Sequence, residues 1–214
     1  NLIFLGSSCI YPKNCKQPIK EEYLLSGKLE KTNEPYAIAK IAGIKMCESY
    51  NFQYKTNYKC LMPTNTFGPA DNYNLESSHF LPALISKIHQ CKVEKKNFLE
   101  LWGNGKTRRE LIYVDDLAES IVYFLNKKLS NNLINIGSGI EKTIDQYAKI
   151  VCEIIGVKLK IKYKNISLIG TPKKLLDSSY AKKNGWKSKT NLKRDILKTY
   201  KSFLNEIALK EIKK

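Results

Sequence analysis

The chain has 214 residues, 43% of them hydrophobic and 27% charged, with a formal net charge of +17. That composition is globular and sufficient for one large or two small cores. No apolar run approaches the roughly 20 residues a membrane-spanning helix needs, so no membrane partner is expected. The six cysteines (Cys9, Cys15, Cys47, Cys60, Cys91, Cys152) form no Cys-x-x-Cys pair, and there are only two histidines. No metal site is expected from such material, and scattered thiols fit a reducing, cytoplasmic setting. The charge invites a nucleic-acid reading, yet of 37 basic residues only Arg108, Arg109 and Arg194 are arginines. Arginine is the preferred reader of base edges and phosphates, and neither clustered arginines nor stacking aromatics stand out. Lysines on solvated surfaces are the simpler account, so no nucleic-acid partner is expected, while an anionic nucleotide substrate would gain from the same field.

Residues 2–6 are an apolar strand candidate without a basic leader, not a secretory signal. A chain that opens inside a strand reads as a fragment or a processed product. Residues 12–35 are a polar loop with Pro12, Pro18, Gly27 and Pro35. Tyr36 to about Tyr54 has helical periodicity. Cys60-Leu-Met reads as the end of a strand and Pro63–Ser78 as a loop. A helix is predicted over Phe80–Cys91, a strand over Phe98–Trp102, and a helix over Asp115–Lys127 with acidic residues in its first turn. Leu133–Ile136 is a strand candidate. Thr143-Ile-Asp-Gln146 has capping-box form and opens a helix that Gly156 can end. A strand over Leu159–Tyr163 and an amphipathic helix over Leu192–Leu204 complete the chain. Alternating strands and helices imply an α/β fold with a mainly parallel sheet.

Tyr36-x-x-x-Lys40 places a phenol and an ammonium on one helix face. A cation favours the ionised phenol, which can give a proton to a carbonyl oxygen and recover it from solvent. Alone the spacing says little: 13 tyrosines and 34 lysines in 214 positions give about two such matches by chance, and two occur. The second, Tyr123-x-x-x-Lys127, reads as ordinary helix surface. What separates them is Gly6-Ser7-Ser8-Cys9-Ile10-Tyr11-Pro12, where along a strand Ser7, Cys9 and Tyr11 point to one side. Ser7 could there bond the carbonyl oxygen that Tyr36 protonates. Taken singly, Ser7 is as well a strand-end hydroxyl bonded to backbone, and Cys9 a small buried hydrophobe.

Leu5-Gly-Ser-Ser-Cys-Ile-Tyr-Pro12 resembles the serine segment of extended short-chain dehydrogenase/reductases, in the Ser-Ser-Cys form of the GDP-L-fucose synthase family. Asn33-Glu-Pro-Tyr-Ala-Ile-Ala-Lys-Ile-Ala-Gly43 resembles that family's catalytic helix. Met62-Pro-Thr-Asn-Thr-Phe-Gly-Pro69, Ser78-His79, Trp102-Gly-Asn-Gly-Lys-Thr-Arg-Arg109-Glu, Val114-Asp-Asp116, Asn135-Ile-Gly-Ser-Gly139 and Gly170-Thr-Pro-Lys-Lys-Leu-Leu-Asp177 follow in the family's order. The resemblance implies a partial Rossmann-type doubly wound parallel sheet whose first βα units are absent, and a smaller α/β substrate-binding domain. The NADP-binding part would comprise 1–62 and about 111–137, and the substrate-binding part about 63–110 and 138–214. It also implies conversion of GDP-4-keto-6-deoxy-mannose to GDP-L-fucose, by inversion at C3 and C5 and then reduction at C4 with NADPH.

The family's roles fall on matching positions. Ser7 and Tyr36 would stabilise the enolate oxygen, Cys9 would be the base and His79 the acid. Lys40 would assist Tyr36 and hold the nicotinamide ribose. Leu5, Gly6, Ser7, Ser8, Tyr36, Lys40, Pro63, Thr64, Asn65, Thr66 and His79 would line the cofactor. Lys87, Trp102, Arg109 and Asp177 would hold the sugar nucleotide, Arg109 being able to pair a diphosphate bidentately. Without its context His79 is a surface cap residue and Trp102 a core residue. His89 keeps the surface reading. Gly103-x-Gly105 and Gly137-x-Gly139 lack a third glycine and read as turns.

Two features depart from the family pattern. The nucleotide fingerprint and its first strands, roughly 90–100 residues, are not in the sequence, so the pyrophosphate cradle is missing and a sheet edge is exposed. The 214 residues by themselves are therefore expected to be inactive. Lys87 stands where an arginine would grip phosphate more specifically. A sister nucleotide-sugar epimerase, dehydratase or 4-ketoreductase, and a non-catalytic remnant, are the competing readings. The Cys9–His79 pair discriminates the first, since a reductase alone needs no second acid–base pair. The family implies a homodimer packed through the Tyr36–Tyr54 helix.

Overall fold

The computed structural model describes residues 1–164 and 171–212, so Gly170 of the Gly170–Asp177 motif lies outside the described residues. In chain order the elements are β1 (Leu2–Leu5), α1 (Glu34–Tyr54), β2 (Tyr58–Pro63), β3 (Asn65–Phe67), α2 (Phe80–Val93), β4 (Phe98–Trp102), β5 (Arg108–Tyr113), α3 (Val114–Leu125), β6 (Leu133–Ile136), β7 (Glu141–Thr143), α4 (Ile144–Ile155), β8 (Lys160–Lys164), β9 (Lys173–Lys174), α5 (Ser179–Lys183) and α6 (Leu192–Ile212). No described helix is long and apolar enough to cross a membrane.

The chain divides into two compact units. The first comprises Asn1–Thr66, Arg109–Glu141 and Gly170–Lys189. Its main sheet is parallel, in the order β1-β2-β6. Side chains alternate across it, as the two-residue period of a strand requires. Phe4, Cys60 and Met62 join Ile41, Ile44 and Cys47 of α1 on one face. Ile3, Leu61, Ile134 and Ile136 join Phe124 of α3, Ala181 of α5 and Trp186 on the other. Helices thus cover both faces of a parallel sheet, the doubly wound arrangement, and the middle strand β2 is buried along Lys59–Met62. Each large side chain buried this way contributes about 1.5–3 kcal/mol.

Helix α1 begins with Pro in its first turn and ends at Lys55 in the left-handed conformation, φ 54°. It buries Ala37, Ile41, Ile44 and Cys47, a single stripe at helical spacing. Gly43 lets it approach β1, since a Cβ there would lie 2.3 Å from the Phe4 ring. The outward side is also apolar: Ile38, Met46, Tyr50, Phe52 and Tyr54 are exposed.

Gly170–Lys189 groups with the first unit. Backbone bonds hold it there. Ile19 N–H donates to Leu175 O (2.7 Å), Asp177 N–H donates to Ile19 O (2.8 Å), and β9 pairs with β5. A second sheet, in the order β3-β5-β7 with β9 on β5, was largely hidden in sequence.

The second unit comprises Phe67–Arg108, Lys142–Ile169 and Thr190–Lys214. Parallel strands β4 and β8 pair from Phe98–Lys160 to Trp102–Lys164. Leu81, Leu84, Ile85 and Ile88 of α2 and Tyr147, Val151 and Ile155 of α4 are buried where these helices pack. Thr143 and Gln146 form the predicted capping box, and Gly156 ends α4 at φ 77°. Helix α6 runs well past the predicted Leu204 end, to Ile212.

Candidate active site

Strand β1 ends at Leu5, and Gly6 N–H bonds to Leu61 O at 2.9 Å. A Cβ on Gly6 would sit 2.2 Å from Met62 Cε, so only glycine passes this point without displacing the methionine. The chain then leaves the strand. Ser7, at φ −160°, caps a 3-10 turn over Ser8–Ile10, its Oγ accepting from Cys9 N–H at 3.2 Å. Ser7, Cys9 and Tyr11 therefore do not share one side of a strand as expected. A local side-chain-to-backbone bond prevails over continued extension. Tyr11 is buried and donates to Asn135 Oδ1 at 2.6 Å, while Cys9 stays half-buried. Burial pushes the Tyr11 phenol far above its ordinary range, with Glu21 adding to it, so Tyr11 is a structural donor.

Tyr36 and Lys40 stand one turn apart on α1, Tyr36 at 49% exposure. Lys40 Nζ donates to the Leu5 carbonyl at 2.8 Å, lying 5.2 Å from the Phe4 ring centroid and 5.6 Å from that of Tyr36. The ammonium thus ties the helix to the end of β1, beside Gly6 and Ser7. The other Tyr-x-x-x-Lys pair is spent differently. Tyr123 OH donates to Asn184 O (2.9 Å), and Lys127 Nζ donates to Tyr123 OH (2.7 Å) and Asn184 O (3.3 Å).

Because the sheet is parallel, β1, β2 and β6 end on the same side, where ligands of open α/β sheets bind. Pro63–Thr66 follow β2 there. Thr64 N–H donates to Ile136 O (3.0 Å), and Thr64 Oγ1 and Asn65 Nδ2 both donate to Glu110 O (3.2 Å). The Glu110 carboxylate is fully buried. It accepts from Gly139 N–H (2.7 Å) and Leu176 N–H (2.9 Å), and burial pushes it above the usual carboxylate range.

Cys9 Sγ accepts from Lys174 Nζ at 3.6 Å and from Asn33 Nδ2 at 3.9 Å. Arg109 donates from Nη1 to Thr171 O at 2.7 Å. Burial lowers its guanidinium from the ordinary value, and an electrostatic interaction with Cys9 opposes this. Asp177 Oδ1 accepts from Ser179 N–H at 2.9 Å. Burial would raise that carboxyl, but the Ser179 bonds with Lys20 and Lys182 hold it below the usual range.

His79, Lys87 and Trp102 belong to the second unit. His79 is the exposed residue at the start of α2, without a side-chain capping bond. Trp102, the last residue of β4, is 70% exposed rather than core, and Lys87 Nζ sits 5.0 Å from its ring centroid. Sequence reasoning missed Lys174 and Asn33, although both lie inside motifs it quoted.

A parallel sheet covered on both faces, with polar loops gathered at its carboxyl edge, defines an α/β protein of the Rossmann type. The chain belongs to the NAD dependent epimerase/dehydratase family, whose sequence model matches residues 1–137. A GDP-L-fucose synthase of Sinorhizobium fredii is 47% identical over 207 residues, covering 97% of this chain and 66% of that protein. The chain spans about two thirds of the length of the curated relatives it matches, between 63% and 66% of the first four. Among solved structures, a GDP-6-OMe-4-keto-L-xylo-heptose reductase from C. jejuni superposes with TM-score 0.86 at 34% identity, covering 95% of this chain and 70% of that one. A GDP-L-fucose synthetase from Naegleria fowleri bound to NADP superposes with TM-score 0.87 at 25% identity, covering 96% and 66%.

Proposed function

We propose that the full-length protein converts GDP-4-keto-6-deoxy-mannose to GDP-L-fucose, by 3,5-epimerisation followed by NADPH-dependent 4-keto reduction. The observation that carries this is the cluster at the carboxyl edge of the sheet. Ser7 and Cys9 stand on one turn after β1, and Lys40 ties the Tyr36 helix to the same strand end. Relatives named GDP-L-fucose synthase support the substrate class.

The residues present fit part of a nicotinamide site. Leu5–Ser8, Pro63–Thr66 and the one-turn spacing of Tyr36 and Lys40 lie at or beside strand ends of one parallel sheet. With His79, these would hold the cofactor. The glycine fingerprint that would cradle its pyrophosphate is not among the 214 residues. When bound, the reduced nicotinamide supplies a hydride. Cys9 takes the proton from the carbon beside the ketone, and His79 returns one from the other face. Ser7 and Tyr36 stabilise the oxygen that gains charge. Tyr36 then gives its proton to the C4 oxygen, and Lys40 would hold the nicotinamide ribose. Lys87, Trp102, Arg109 and Asp177 hold the sugar nucleotide.

We further propose a homodimer packed through α1, supported by its apolar outward side, and a cytoplasmic location, supported by six free thiols. Sedimentation of the full-length protein reports the first. The heptose reductase likeness favours one alternative, a 4-ketoreductase acting on another GDP-sugar.

The deciding experiment supplies the full-length protein with GDP-4-keto-6-deoxy-mannose and NADPH and follows absorbance at about 340 nm. GDP-L-fucose as product supports the reading. Oxidation of NADPH without solvent deuterium entering C3 and C5 selects the simple reductase, and no turnover overturns both.

A further inference from the structure

We propose that Lys174 is the positioning residue for the Cys9 sulfur, its ammonium donating to Sγ so that the sulfur stands ready as a base. This rests on the reading of Cys9 given above and adds a residue to it. Only Asp177 of the Gly170–Asp177 segment had been given a role. Lys174 lies 165 residues from Cys9 in sequence, yet its Nζ is 3.6 Å from Sγ.

The lysine is half-buried and its backbone is held from several directions. It pairs as β9 on β5. The next residue, Leu175, donates its N–H to Gln17 Oε1 (2.9 Å), and Leu176 donates to Glu110 Oε2 (2.9 Å). Successive side chains on a strand point to opposite sides. Lys173 accordingly reaches Glu141 at 3.5 Å, while Lys174 reaches the sulfur.

The other charged groups around the sulfur are few among the described residues. From β5 Arg109 interacts electrostatically with Cys9 while its Nη1 donates to Thr171 O. From the start of α1 Asn33 offers a neutral donor at 3.9 Å. On the turn itself Ser7 Oγ is occupied by Cys9 N–H. Glu30, the acidic neighbour that feels Lys174, is bound to Lys13 at 2.9 Å, and Cys15 feels Lys174 as well. Cations beside a thiol favour its nucleophilic and basic form. In turnover the sulfur lone pair accepts the carbon-bound proton, the C–H electrons pass to the ketone oxygen as an enolate, and the Lys174 ammonium keeps all its protons.

The full-length protein, without added cofactor or sugar nucleotide, tests this with iodoacetamide, in which the sulfur displaces iodide and forms an S–C bond. The rate at Cys9 is read by mass spectrometry of its peptide at neutral pH. K174M is expected to slow Cys9 alkylation about tenfold, and K174R to return it to within about threefold of the parent. A fold that merely needs a long side chain at this position would not distinguish methionine from arginine in this way. K174Q replaces K174M should the latter not fold, with the same expectation. A Cys9 rate within twofold of the parent in the uncharged variant, or K174R as slow as that variant, overturns the proposal. Alkylation uses neither sugar nucleotide nor cofactor. The assignment of Lys174 can therefore fail while the full-length assay succeeds, and the reverse outcome removes the proposed reaction but leaves the Lys174–Cys9 pair.

Discussion

The Tyr11 hydroxyl donates to Asn135 Oδ1 at 2.6 Å, joining the turn after β1 to the buried strand β6. Asn135 Nδ2 also donates to Ile19 O (2.9 Å) and Asp177 O (3.2 Å), so one amide gathers three separate stretches of chain. Tyr11→Phe leaves the Asn135 acceptor without its donor in a dry place. A loss of about 1–3 kcal/mol follows from such an orphaned group, measured by urea unfolding of the full-length protein. A change below a few tenths would mean that the phenol contributes nothing beyond its ring.

Gly43→Ala sets two effects against each other. Alanine favours a helix over glycine by about 1 kcal/mol, but the new methyl meets the Phe4 ring at 2.3 Å. Overpacking a tight core costs about 1–3 kcal/mol, so the variant is expected to be less stable. Adding Phe4→Leu to it should recover part of the loss, as a double-mutant cycle in denaturant would report.

Thr143 closes the capping box of α4 by accepting from Gln146 N–H at 3.1 Å. Thr143→Ala should cost about 1 kcal/mol and Thr143→Ser little. Equal stability of the two variants by thermal unfolding would remove the cap from the account of this helix.

His89 Nδ1 lies 2.9 Å from Tyr200 OH in the second unit. Burial, with Lys92 adding to it, holds its imidazole below the ordinary 6.5. The folded state then binds fewer protons than the unfolded state just below that value. Stability contributed by the neutral ring is full above about 6.5 and is lost as pH falls through the lowered value, at no more than about 1.4 kcal/mol per pH unit. His89→Gln should flatten that part of the stability–pH curve. An unchanged slope would assign it to other groups.

In the full-length protein Tyr36→Phe is expected to abolish NADPH oxidation while leaving solvent-deuterium entry at C3 and C5 partly intact. Cys9→Ser should slow that entry by about 100-fold or more, the usual scale for removing a positioned base. Normal exchange in Cys9→Ser, followed by mass spectrometry, would mean another group takes the proton.

Much of the first unit could be read from letters because periodicity survives in it. Ala37, Ile41, Ile44 and Cys47 mark one helix face, and the apolar runs around Phe4, Leu61 and Ile134 mark buried parallel strands. The short strands could not be read. β9 is two lysines and β7 is Glu-Lys-Thr, in which every residue but Thr143 is a poor strand former, and both pair with β5. β5 itself opens with two arginines that mask its four buried residues, Glu110–Tyr113. The turn at Ser8–Ile10 escaped because a single hydroxyl bond decides it. Lys174 escaped because proximity across 165 residues leaves no local signal.

The two Tyr-x-x-x-Lys pairs show what a four-residue pattern leaves undecided. On α1 the ammonium is drawn to a strand-end carbonyl and the phenol stands half open to solvent. At the end of α3 the Tyr123 and Lys127 side chains close on each other and on Asn184, fastening the loop where Gly185 turns at φ 90°. A duplicated word thus has one mechanical use and one in which the phenol is left open, the use for which a reactive role is proposed above. The chain carries its own control: Tyr123 reports how this pair behaves when its hydroxyl is consumed by architecture, and Tyr36 how it behaves when it is not.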